Sequence, residues 1–266
     1  MSESRLTSLP ALLTFRGLNG VVHGISTRHG GVSKAPYQAL NLGLSTRDER
    51  AAVLENRRLF FQSLGLVEGD VLVGRLSHGN RVSIFHVDSV PRGGDARVPD
   101  GERIFCSDAV VSNVPGLHFM VTAADCVPIA FADRKSGAVG AAHSGWRGTA
   151  LAIASRVVRT MGTAFATDPS HLSVGIGPSI GPCCYSVSPE VLDRFSAAGH
   201  EAVTEEREGK TYLDLWTTNE RQLTRAGVPE SKIENPRICT SCNVDDFYSH
   251  RREGGATGRF ALCIGI

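Results

Sequence analysis

The chain has 266 residues, enough for one domain with a substantial hydrophobic core, and no Pro/Ser-rich or low-complexity linker divides it. Its 28 Lys and Arg residues nearly balance its 27 Asp and Glu residues, which argues against a nucleic-acid or membrane-surface partner. The sequence shows neither the pattern of a signal peptide nor a long apolar run, so we expect one cytoplasmic domain that covers residues 1–266. Its seven cysteines are an odd number for a set of disulfides, and we expect them to be packed, metal-bound or catalytic thiols.

The first predicted helix covers STRDERAAVLENRRLFFQSLGL. Thr46 and Glu49 have the spacing of a capping box, and Gly65 suits the C-terminal stop. The apolar face of the helix consists of Val53, Leu54, Leu59, Phe60 and Leu64. The apolar runs VLVGRL and VSIFHV, separated by SHGN, then predict a β-hairpin with His78 at its tip, and the loop SVPRGGDARVPDGE follows.

Three strand-like runs come next, at 117–122, 127–132 and 138–143. The segment RGTALAIASRVVRTMG predicts one helix with Leu151, Ala154, Val158 and Met161 on one side. A strand at 172–177, helices in PEVLDRFSAAG and LWTTNERQLTRAGV, and a buried strand in RFALCIGI complete the chain. Because strands and helices are mixed without strict alternation, we expect an α+β fold with mixed and antiparallel sheets flanked by helices.

Cys126 and His143 lie near the ends of a predicted hairpin, VPIAFA and AVGAAH joined by DRKSG. If Ala132 pairs with Gly137, Cys126 faces His143 with about 4.5–5.5 Å between their Cβ atoms. A register shift by two keeps both side chains on one face, whereas a one-residue bulge separates them. The pair is compatible with core packing, with a thiol nucleophile and its base, or with two ligands of a metal.

The neighbours of this pair favour a functional role. Asp125 adjoins the thiol, and the loop SGWRGT follows the histidine and leads into a predicted helix. A glycine-flanked helix N-terminus beside Arg147 is a candidate anion site. We therefore expect a bound phosphate near Arg147 and the amides of residues 144–148, with Arg28 and Arg251 as further candidates.

Eight stretches of the chain resemble, in the same order, the bacterial laccase-domain family, also called polyphenol oxidase or YfiH-like. They are STRHGGVS, NLGL, SHGNRV, TAADCVPI, AAHSGWRGTA, GIGPSIGPCCYSV, CTSCN and FYSHRREGGATGR. Members of that family have been reassigned as purine nucleoside phosphorylases. The resemblance implies phosphorolysis of adenosine, inosine and S-methyl-5′-thioadenosine to free base and ribose 1-phosphate, adenosine deamination, and an α+β fold related to cysteine-dependent deamidase toxins.

The resemblance also implies a catalytic zinc site. Its ligands are a histidine before a glycine, a cysteine in an ADC triplet and a histidine in an HSGWRG segment, which are here His78, Cys126 and His143. Leu76 and Ser77 stand where the family usually has Gln-Val, so we expect different packing around the first ligand. Three protein ligands leave a fourth position open, and a water activated there can attack C6 of adenine.

Phosphorolysis requires in addition that phosphate attack C1′ of the ribose. The residues that we expect to bind substrate are Arg28, Asn41, Arg147, Cys184 and Arg251. The expected partners are thus a purine nucleoside and phosphate, with no nucleic acid or membrane, and we expect a monomer or a weak homodimer.

Three alternatives stay open at this point. The nine histidines include no His-x-His pair, which excludes a multicopper laccase but leaves a single Cu²⁺ ion on two histidines and one cysteine. A metal-free hydrolase would use Cys126 as nucleophile and His143 as base. A third alternative is an editing factor that binds a nucleotide-like or peptidoglycan precursor.

The remaining glycine and cysteine motifs give weaker signals. Cys239 and Cys242 form a CxxC without a second CxxC or histidine pair, which favours packed thiols over a redox centre or a second zinc site. Cys183 and Cys184 are adjacent, a poor geometry for a mutual disulfide, and we expect Cys184 to line the pocket. GIGPSIGP matches neither a Rossmann fingerprint nor a P-loop, and SHRREGGATGR is expected to form a pocket wall.

Overall fold

A computed structural model describes residues 9–87 and 103–266. Its strands are β1 (Leu12–Leu13), β2 (Val22–Ser26), β3 (Val71–Gly74), β4 (Val82–Phe85), β5 (Ile104–Phe105), β6 (Ala109–Ser112), β7 (His118–Ala123), β8 (Val127–Asp133), β9 (Ala138–Ser144), β10 (Ser173–Ile176), β11 (Ser186–Val187), β12 (Thr204–Arg207), β13 (Lys210–Leu213), β14 (Ile233–Glu234) and β15 (Phe260–Gly265). Its helices are α1 (Arg50–Ser63), α2 (Trp146–Ala150), α3 (Ile153–Phe165), α4 (Pro189–Ala197) and α5 (Leu215–Arg225). None of the helices in these two ranges has the length and apolar character needed to span a membrane.

Most of the strands belong to two six-stranded mixed sheets. Sheet A has the order β1-β2-β15-β7-β3-β5, and sheet B has the order β14-β10-β8-β9-β6-β4. In sheet A, β3 is parallel to β5 and β7; in sheet B, β4 is parallel to β6 and β10 to β14. A third, small sheet has the order β11-β13-β12. The C-terminal strand β15 therefore lies inside sheet A, between β2 and β7.

The two large sheets pack face to face, and helices cover their outer faces. Along β7, Phe119 packs between the sheets whereas Met120 packs with residues of α1. Along β9, Val139 packs between the sheets whereas Ala142 packs with residues of α3. Both sheets are thus buried on two faces, which explains the nearly continuous apolar runs of their strands. The α-β-β-α layering confirms the expected α+β fold.

Helix α1 begins later than predicted and has a different cap. It ends before Gly65, whose φ of +74° is the left-handed conformation that favours glycine. The predicted capping box is wrong, because Glu49 makes no side-chain cap bond and Thr46 is used elsewhere. The Thr46 hydroxyl donates to the Gly43 carbonyl oxygen at 2.8 Å and accepts from the Asn41 amide at 2.9 Å.

The runs VLVGRL and VSIFHV do not form the predicted hairpin. β3 pairs with β5 and β7 in sheet A, whereas β4 pairs with β6 in sheet B, so the residues between them cross from one sheet to the other. His78, on this crossing, has a φ of 60°. The carboxylate of Asp108 accepts the backbone N–H groups of His78 and Gly79 in this crossing segment. These N–H groups therefore bond to a side chain and not to a partner strand.

The single helix predicted over RGTALAIASRVVRTMG is divided into α2 and α3. The break is at Ala152, whose φ is 53°, and Leu151 is 44% exposed instead of lying on the apolar face. Side chains from other elements bind the carbonyl groups at the break: Gln222 donates to the Thr149 oxygen and Asn80 to the Leu151 oxygen. These tertiary hydrogen bonds replace the intrahelical ones that a continuous helix would form.

Strands β8 and β9 form the predicted hairpin with a register two residues away from the expected one. Asp133 pairs with Ala138, so Pro128 and not Cys126 lies opposite His143. The turn has the expected length but is displaced by one residue along the chain, and within it the Asp133 carboxylate accepts the Lys135 backbone N–H at 2.9 Å. Since the shift is two residues, Cys126 and His143 remain on the same face of the hairpin.

Candidate metal centre

Three side chains from distant parts of the sequence meet at one end of sheet B. His78 comes from the crossing between the sheets, Cys126 directly precedes β8, and His143 lies on β9; their ligand atoms are all within 4.8 Å of one another. The two imidazole rings meet edge-on, with centroids 4.9 Å apart. Ligands of one tetrahedral zinc ion are about 3.3–3.8 Å apart, given bonds of about 2.0–2.3 Å. Small side-chain shifts therefore allow one ion to bind all three.

Accessibility differs among the three side chains. His143 is buried, Cys126 is half-buried and His78 is exposed. A ligand from solvent would therefore approach on the side of His78. A zinc ion held by these three side chains would keep one coordination position open, which is characteristic of catalytic zinc sites and not of structural ones.

Asp108, which the sequence analysis missed, orients both histidines. It is completely buried, and its carboxylate lies 3.2 Å from His143 Nδ1. It also accepts the backbone N–H groups of His78 and Gly79, each at 2.8 Å. A carboxylate on Nδ1 leaves Nε2 of His143 available as a ligand, an arrangement found around many zinc-binding histidines.

Ser77 occupies one of the two positions at which the chain departs from the family pattern. Its hydroxyl donates to the Asp108 carboxylate at 2.7 Å, and its backbone N–H lies 3.2 Å from both carboxylate oxygens. Leu76 packs against the core between the sheets. The departure from Gln-Val thus adds a hydrogen bond to the residue that holds the first ligand in place.

The electrostatics of the site favour a thiolate at Cys126. Burial would raise the pKa of this thiol, but the His143 and His78 imidazoles outweigh it and lower the pKa to about 6. For His143, burial is outweighed by the Cys126 sulfur and the Asp108 carboxylate, which raise its pKa to about 9. Burial also opposes ionisation of Asp108, but its hydrogen bonds, the one with His143 foremost, hold its pKa well below the usual range. A thiolate is the form that both metal binding and nucleophilic attack require.

The residue before Cys126, the candidate cysteine ligand, has an unusual backbone conformation. Asp125 has a φ of 85°, uncommon for any residue except glycine. Its carboxylate accepts the Thr240 hydroxyl and the Arg251 backbone N–H, each at 2.6 Å, and its carbonyl oxygen accepts the Ile180 N–H at 2.9 Å. Three loops thus hold this strained residue, and with it the position of Cys126.

A cavity of about 420 Å³ opens beside His78. This volume is within the range of small-molecule sites. Two guanidinium groups line it, that of Arg147 from α2 and that of Arg194 from α4, and the sequence analysis missed the second. The Arg147 guanidinium lies 4.4 Å from the centre of the Trp146 ring. Because α2 is only five residues long, its dipole is small, and the arginines supply most of the positive charge.

Tyr185 is a second residue that sequence reasoning missed. Burial raises the pKa of its hydroxyl, and its charged neighbours are Cys126, Arg251, Asp125 and Arg147. An aromatic ring therefore lies in the neighbourhood of the candidate ligand Cys126 and of two arginines expected to bind substrate, with the Arg251 guanidinium 5.1 Å from its centre. The only signal in the sequence is its position after the cysteine pair in GPCCYSV.

The structure places Arg28 and Asn41 in contacts within the protein. The Arg28 guanidinium forms an ion pair with Glu253 at 3.1 Å and donates to the Val244 carbonyl oxygen at 2.6 Å. Asn41 is completely buried, and its carbonyl oxygen accepts the backbone N–H of Arg259 at 2.8 Å. Both residues connect loops around the site.

Arg251 and Cys184 lie close to Tyr185. The exposed Arg251 has its guanidinium 5.1 Å from the centre of the Tyr185 ring and donates to the Ser186 carbonyl oxygen at 3.0 Å. The Cys184 thiol belongs to a cluster of cysteines with Cys242. Of the expected substrate residues, Arg147 and Arg251 are thus exposed to solvent and near the candidate metal ligands.

The CxxC pair has a second pair of cysteines beside it, which the sequence analysis did not predict. Cys239 and Cys242 lie with Cys183 and Cys184, and the four sulfur atoms are all within 4.8 Å of one another. The sequence did not indicate this, because the two pairs are far apart along the chain and adjacent cysteines are not a usual ligand spacing.

The chain is similar to known proteins over nearly its whole length. The family described as multi-copper polyphenol oxidoreductase laccase matches residues 22–266. Purine nucleoside phosphorylase YlmD of Geobacillus stearothermophilus is 39% identical over 255 residues, 92% of this chain and 90% of that protein. Adenosine deaminase RL5, from an unknown prokaryotic organism, is 33% identical over 243 residues, 90% of this chain and 91% of that protein. The crystal structure of the hypothetical protein YfiH of Bacillus licheniformis has a TM-score of 0.87, 33% identity and 97% coverage of both chains.

Proposed function

This chain belongs to the family described as multi-copper polyphenol oxidoreductase laccase, and we propose that it is a purine nucleoside phosphorylase, as its full-length relative YlmD is named. The proposed substrates are adenosine, inosine and S-methyl-5′-thioadenosine, each converted with phosphate to free base and ribose 1-phosphate. Adenosine deamination is the proposed second activity, in line with the name of the relative RL5. The observation that carries the proposal is the three-ligand site that opens toward a cavity with two arginines.

We propose Zn²⁺ as the ion bound by His78, Cys126 and His143. Two imidazoles and one thiolate suit zinc, and the buried Asp108 orients one imidazole in the manner of a metal-binding histidine. When bound, the zinc ion supplies a Lewis acid with one open coordination position. Cu²⁺ can bind the same donor set in vitro, which is one explanation for an oxidase name in the family description.

The residues around the cavity have separate proposed roles in phosphorolysis. A phosphate oxygen must form a bond to C1′ while the bond from C1′ to the purine nitrogen breaks. Arg147 and Arg194 hold the anionic phosphate by charge-assisted hydrogen bonds, and Tyr185 offers an aromatic surface to the base. Arg251, next to Tyr185, is a further candidate for contacts to the nucleoside.

The metal-binding groups found in residues 9–87 and 103–266 do not resemble a multicopper centre. One group has two histidines and one cysteine, and the other has four cysteines and no histidine. We therefore propose a mononuclear site. Balanced charge supports a protein without nucleic-acid or membrane partners, and we further propose a cytoplasmic monomer or weak homodimer.

A cysteine hydrolase is the second candidate, because the site holds Cys126 as a thiolate beside His143. In that enzyme the thiolate would form a bond to the substrate carbon, the bond to the leaving group would break as His143 donates a proton to that group, and water would then hydrolyse the covalent intermediate without a metal. A thiolate bound to zinc is a poor nucleophile, so metal content and activity separate the two candidates.

The deciding experiment combines metal analysis with an assay of inosine and phosphate. We expect the wild type to contain zinc and to release hypoxanthine only when phosphate is present. Cys126→Ala should lose the zinc bound at the three-ligand site and the release of hypoxanthine, whereas Cys106→Ala, at an exposed cysteine outside both groups, should keep the wild-type zinc content and activity. No hypoxanthine above background, or full activity in Cys126→Ala, would contradict the proposal. A metal-free wild type that releases hypoxanthine without phosphate would favour the hydrolase.

A further inference from the structure

Four cysteines outside the three-ligand site form a compact cluster. Cys183 and Cys184 follow β10, and Cys239 and Cys242 lie between β14 and β15. All four sulfur atoms are within 4.8 Å of one another. The Cys242 sulfur is 3.4 Å from that of Cys184 and 3.6 Å from that of Cys183.

We propose that this cluster is a second metal site, in which four thiolates bind one Zn²⁺ ion. Sulfur ligands of a tetrahedral zinc ion are about 3.8 Å apart, since Zn–S bonds are about 2.3 Å long. The two measured sulfur-to-sulfur distances differ from this value by only a few tenths of an ångström. An all-sulfur donor set selects soft metals, and a closed set of four ligands is characteristic of a structural site.

The surroundings of the cluster suit a metal. The backbone N–H of Gly181 donates to the Cys239 sulfur at 3.2 Å, a contact that stabilises a thiolate ligand. Cys239 is buried, while Cys183 and Cys242 are exposed, so an ion can enter from solvent.

A disulfide accounts for the cluster less well than a metal does. Cys183 and Cys184 are adjacent and poorly placed to pair with each other. Two disulfides, one from Cys242 and one from Cys239 to the adjacent pair, would use all four sulfur atoms, but all four cysteines are free. The sulfur of Cys242 lies 3.4 and 3.6 Å from those of Cys184 and Cys183, well beyond a bonded distance of about 2.05 Å and close to the spacing of ligands on one ion.

The proposed ion would connect two loops that hold the three-ligand site. Ser179 and Cys239 form a parallel β-bridge between these loops. From one loop the Ile180 N–H, and from the other the Thr240 hydroxyl, hydrogen-bond to Asp125. The second site therefore acts as a clamp that fixes the residue preceding the proposed catalytic ligand Cys126.

The experiment measures zinc per chain in the full-length protein and in matched variants. In Cys126→Ala we expect one equivalent of zinc to remain. In the double variant Cys183→Ser/Cys242→Ser we expect the cluster to lose its equivalent, whereas Cys106→Ser, an exposed cysteine outside both groups, keeps the wild-type content. These outcomes do not depend on nucleoside chemistry, so failure here is distinct from failure of the proposed activity.

Replacing zinc by Co²⁺ in Cys126→Ala gives a second measurement that does not require the double variant to fold. We expect the intense sulfur-to-cobalt charge-transfer bands of a tetrahedral thiolate site, at one cobalt per chain. Absence of zinc from Cys126→Ala, a cobalt spectrum without thiolate bands, iron in place of zinc, or a disulfide among the four cysteines would each overturn the proposal.

Discussion

The Asp108 carboxylate binds both segments that carry the histidine ligands. Its oxygens accept the backbone N–H groups of His78 and Gly79 and lie beside the ring of His143. An asparagine of the same shape has one oxygen and an NH₂ group that would face other donors. The negative charge and the second acceptor are both needed here, although no sequence motif marks the residue.

Asp108→Asn should therefore weaken metal binding by about 10- to 100-fold. Competition with a chromophoric chelator gives the affinity directly. Asp133→Asn is the matched control, since Asp133 is also a buried carboxylate that accepts a backbone N–H, in the turn between β8 and β9. Equal affinities in wild type and Asp108→Asn would show that Asp108 does not orient the ligands.

Gly145 has almost no space for a side chain. An alanine Cβ at this position would lie 2.9 Å from the Cys126 sulfur, although the φ of −71° is suitable for alanine. Gly145→Ala should therefore displace the sulfur and lower phosphorolysis by roughly 100-fold, with little change in Tm. Gly69→Ala, where a Cβ meets nothing within 4 Å, should leave the activity unchanged. Wild-type activity in Gly145→Ala would contradict the proposed position of Cys126.

Arg147→Ala tests where phosphate binds. Loss of a charged hydrogen bond costs about 1.5–3 kcal/mol, so the KM for phosphate should rise roughly 10-fold or more. The KM for inosine should change much less, because the base is proposed to contact Tyr185. Arg58→Ala on α1, exposed and paired with Glu55, is the control. A rise in the inosine KM alone would move the phosphate site away from the cavity.

At the scale of elements, helix α3 is followed by Ala166 in a backbone conformation that favours glycine. Ala166 follows the helix with a φ of 53°, and its N–H donates to the Met161 carbonyl oxygen. For an L-residue, this left-handed conformation costs about 1–2 kcal/mol. Glycine removes this cost but loses up to about 1 kcal/mol through the greater freedom of the unfolded chain.

Ala166→Gly should accordingly stabilise the protein by about 0.5–1 kcal/mol and raise Tm by about 1–4 °C. Ala164→Gly, two residues earlier and inside α3, should have the opposite effect, because glycine is unfavourable within a helix. Differential scanning calorimetry compares the two variants with the wild type. A decrease of Tm in both would show that Ala166 is not strained.

Periodicity predicted the individual elements better than it predicted how they pair. The apolar runs of β7, β8, β9 and β15 were recognised because each strand is buried on both faces. The hairpin of β3 and β4 was wrong, because their partners lie farther along the chain and in different sheets. The break between α2 and α3 depends on Gln222 and Asn80, which are remote in sequence.

In the candidate site, too, residues within sequence motifs were predicted, whereas residues whose role depends on tertiary contacts were not. Motifs drew attention to His78, Cys126 and His143, and the structure brings these together. Asp108 and Arg194 could not be found in this way, since each is a single residue whose role depends on what folds against it. Only the pairing of remote segments reveals such residues.

At the scale of the whole molecule, β15 is the strand whose removal we expect to destabilise the fold most. β15 pairs with β2 on one side and β7 on the other, and all its residues are buried. Loss of Phe260, Leu262 and Ile264 alone removes about 1.5–3 kcal/mol each, a total comparable with the stability of a whole domain, about 5–15 kcal/mol.

A chain that ends at Arg259 should therefore fail to fold, and expression should yield insoluble protein. A chain that ends at Gly265 is the control, because it lacks only Ile266 and keeps every strand pair of β15. Circular dichroism and the soluble fraction report the result. A folded, soluble chain ending at Arg259 would show that sheet A does not need its central strand.

The crossing between β3 and β4 also has a consequence for the order of events during folding. Cys126 and His143 are 17 residues apart on one hairpin, whose local contacts can form early. In the folded chain His78 is held beside them through the pairing of β4 with β6 and the hydrogen bond to Asp108. We therefore expect a partly folded chain to offer only two of the three proposed ligands, and tight metal binding to require that the two sheets have docked.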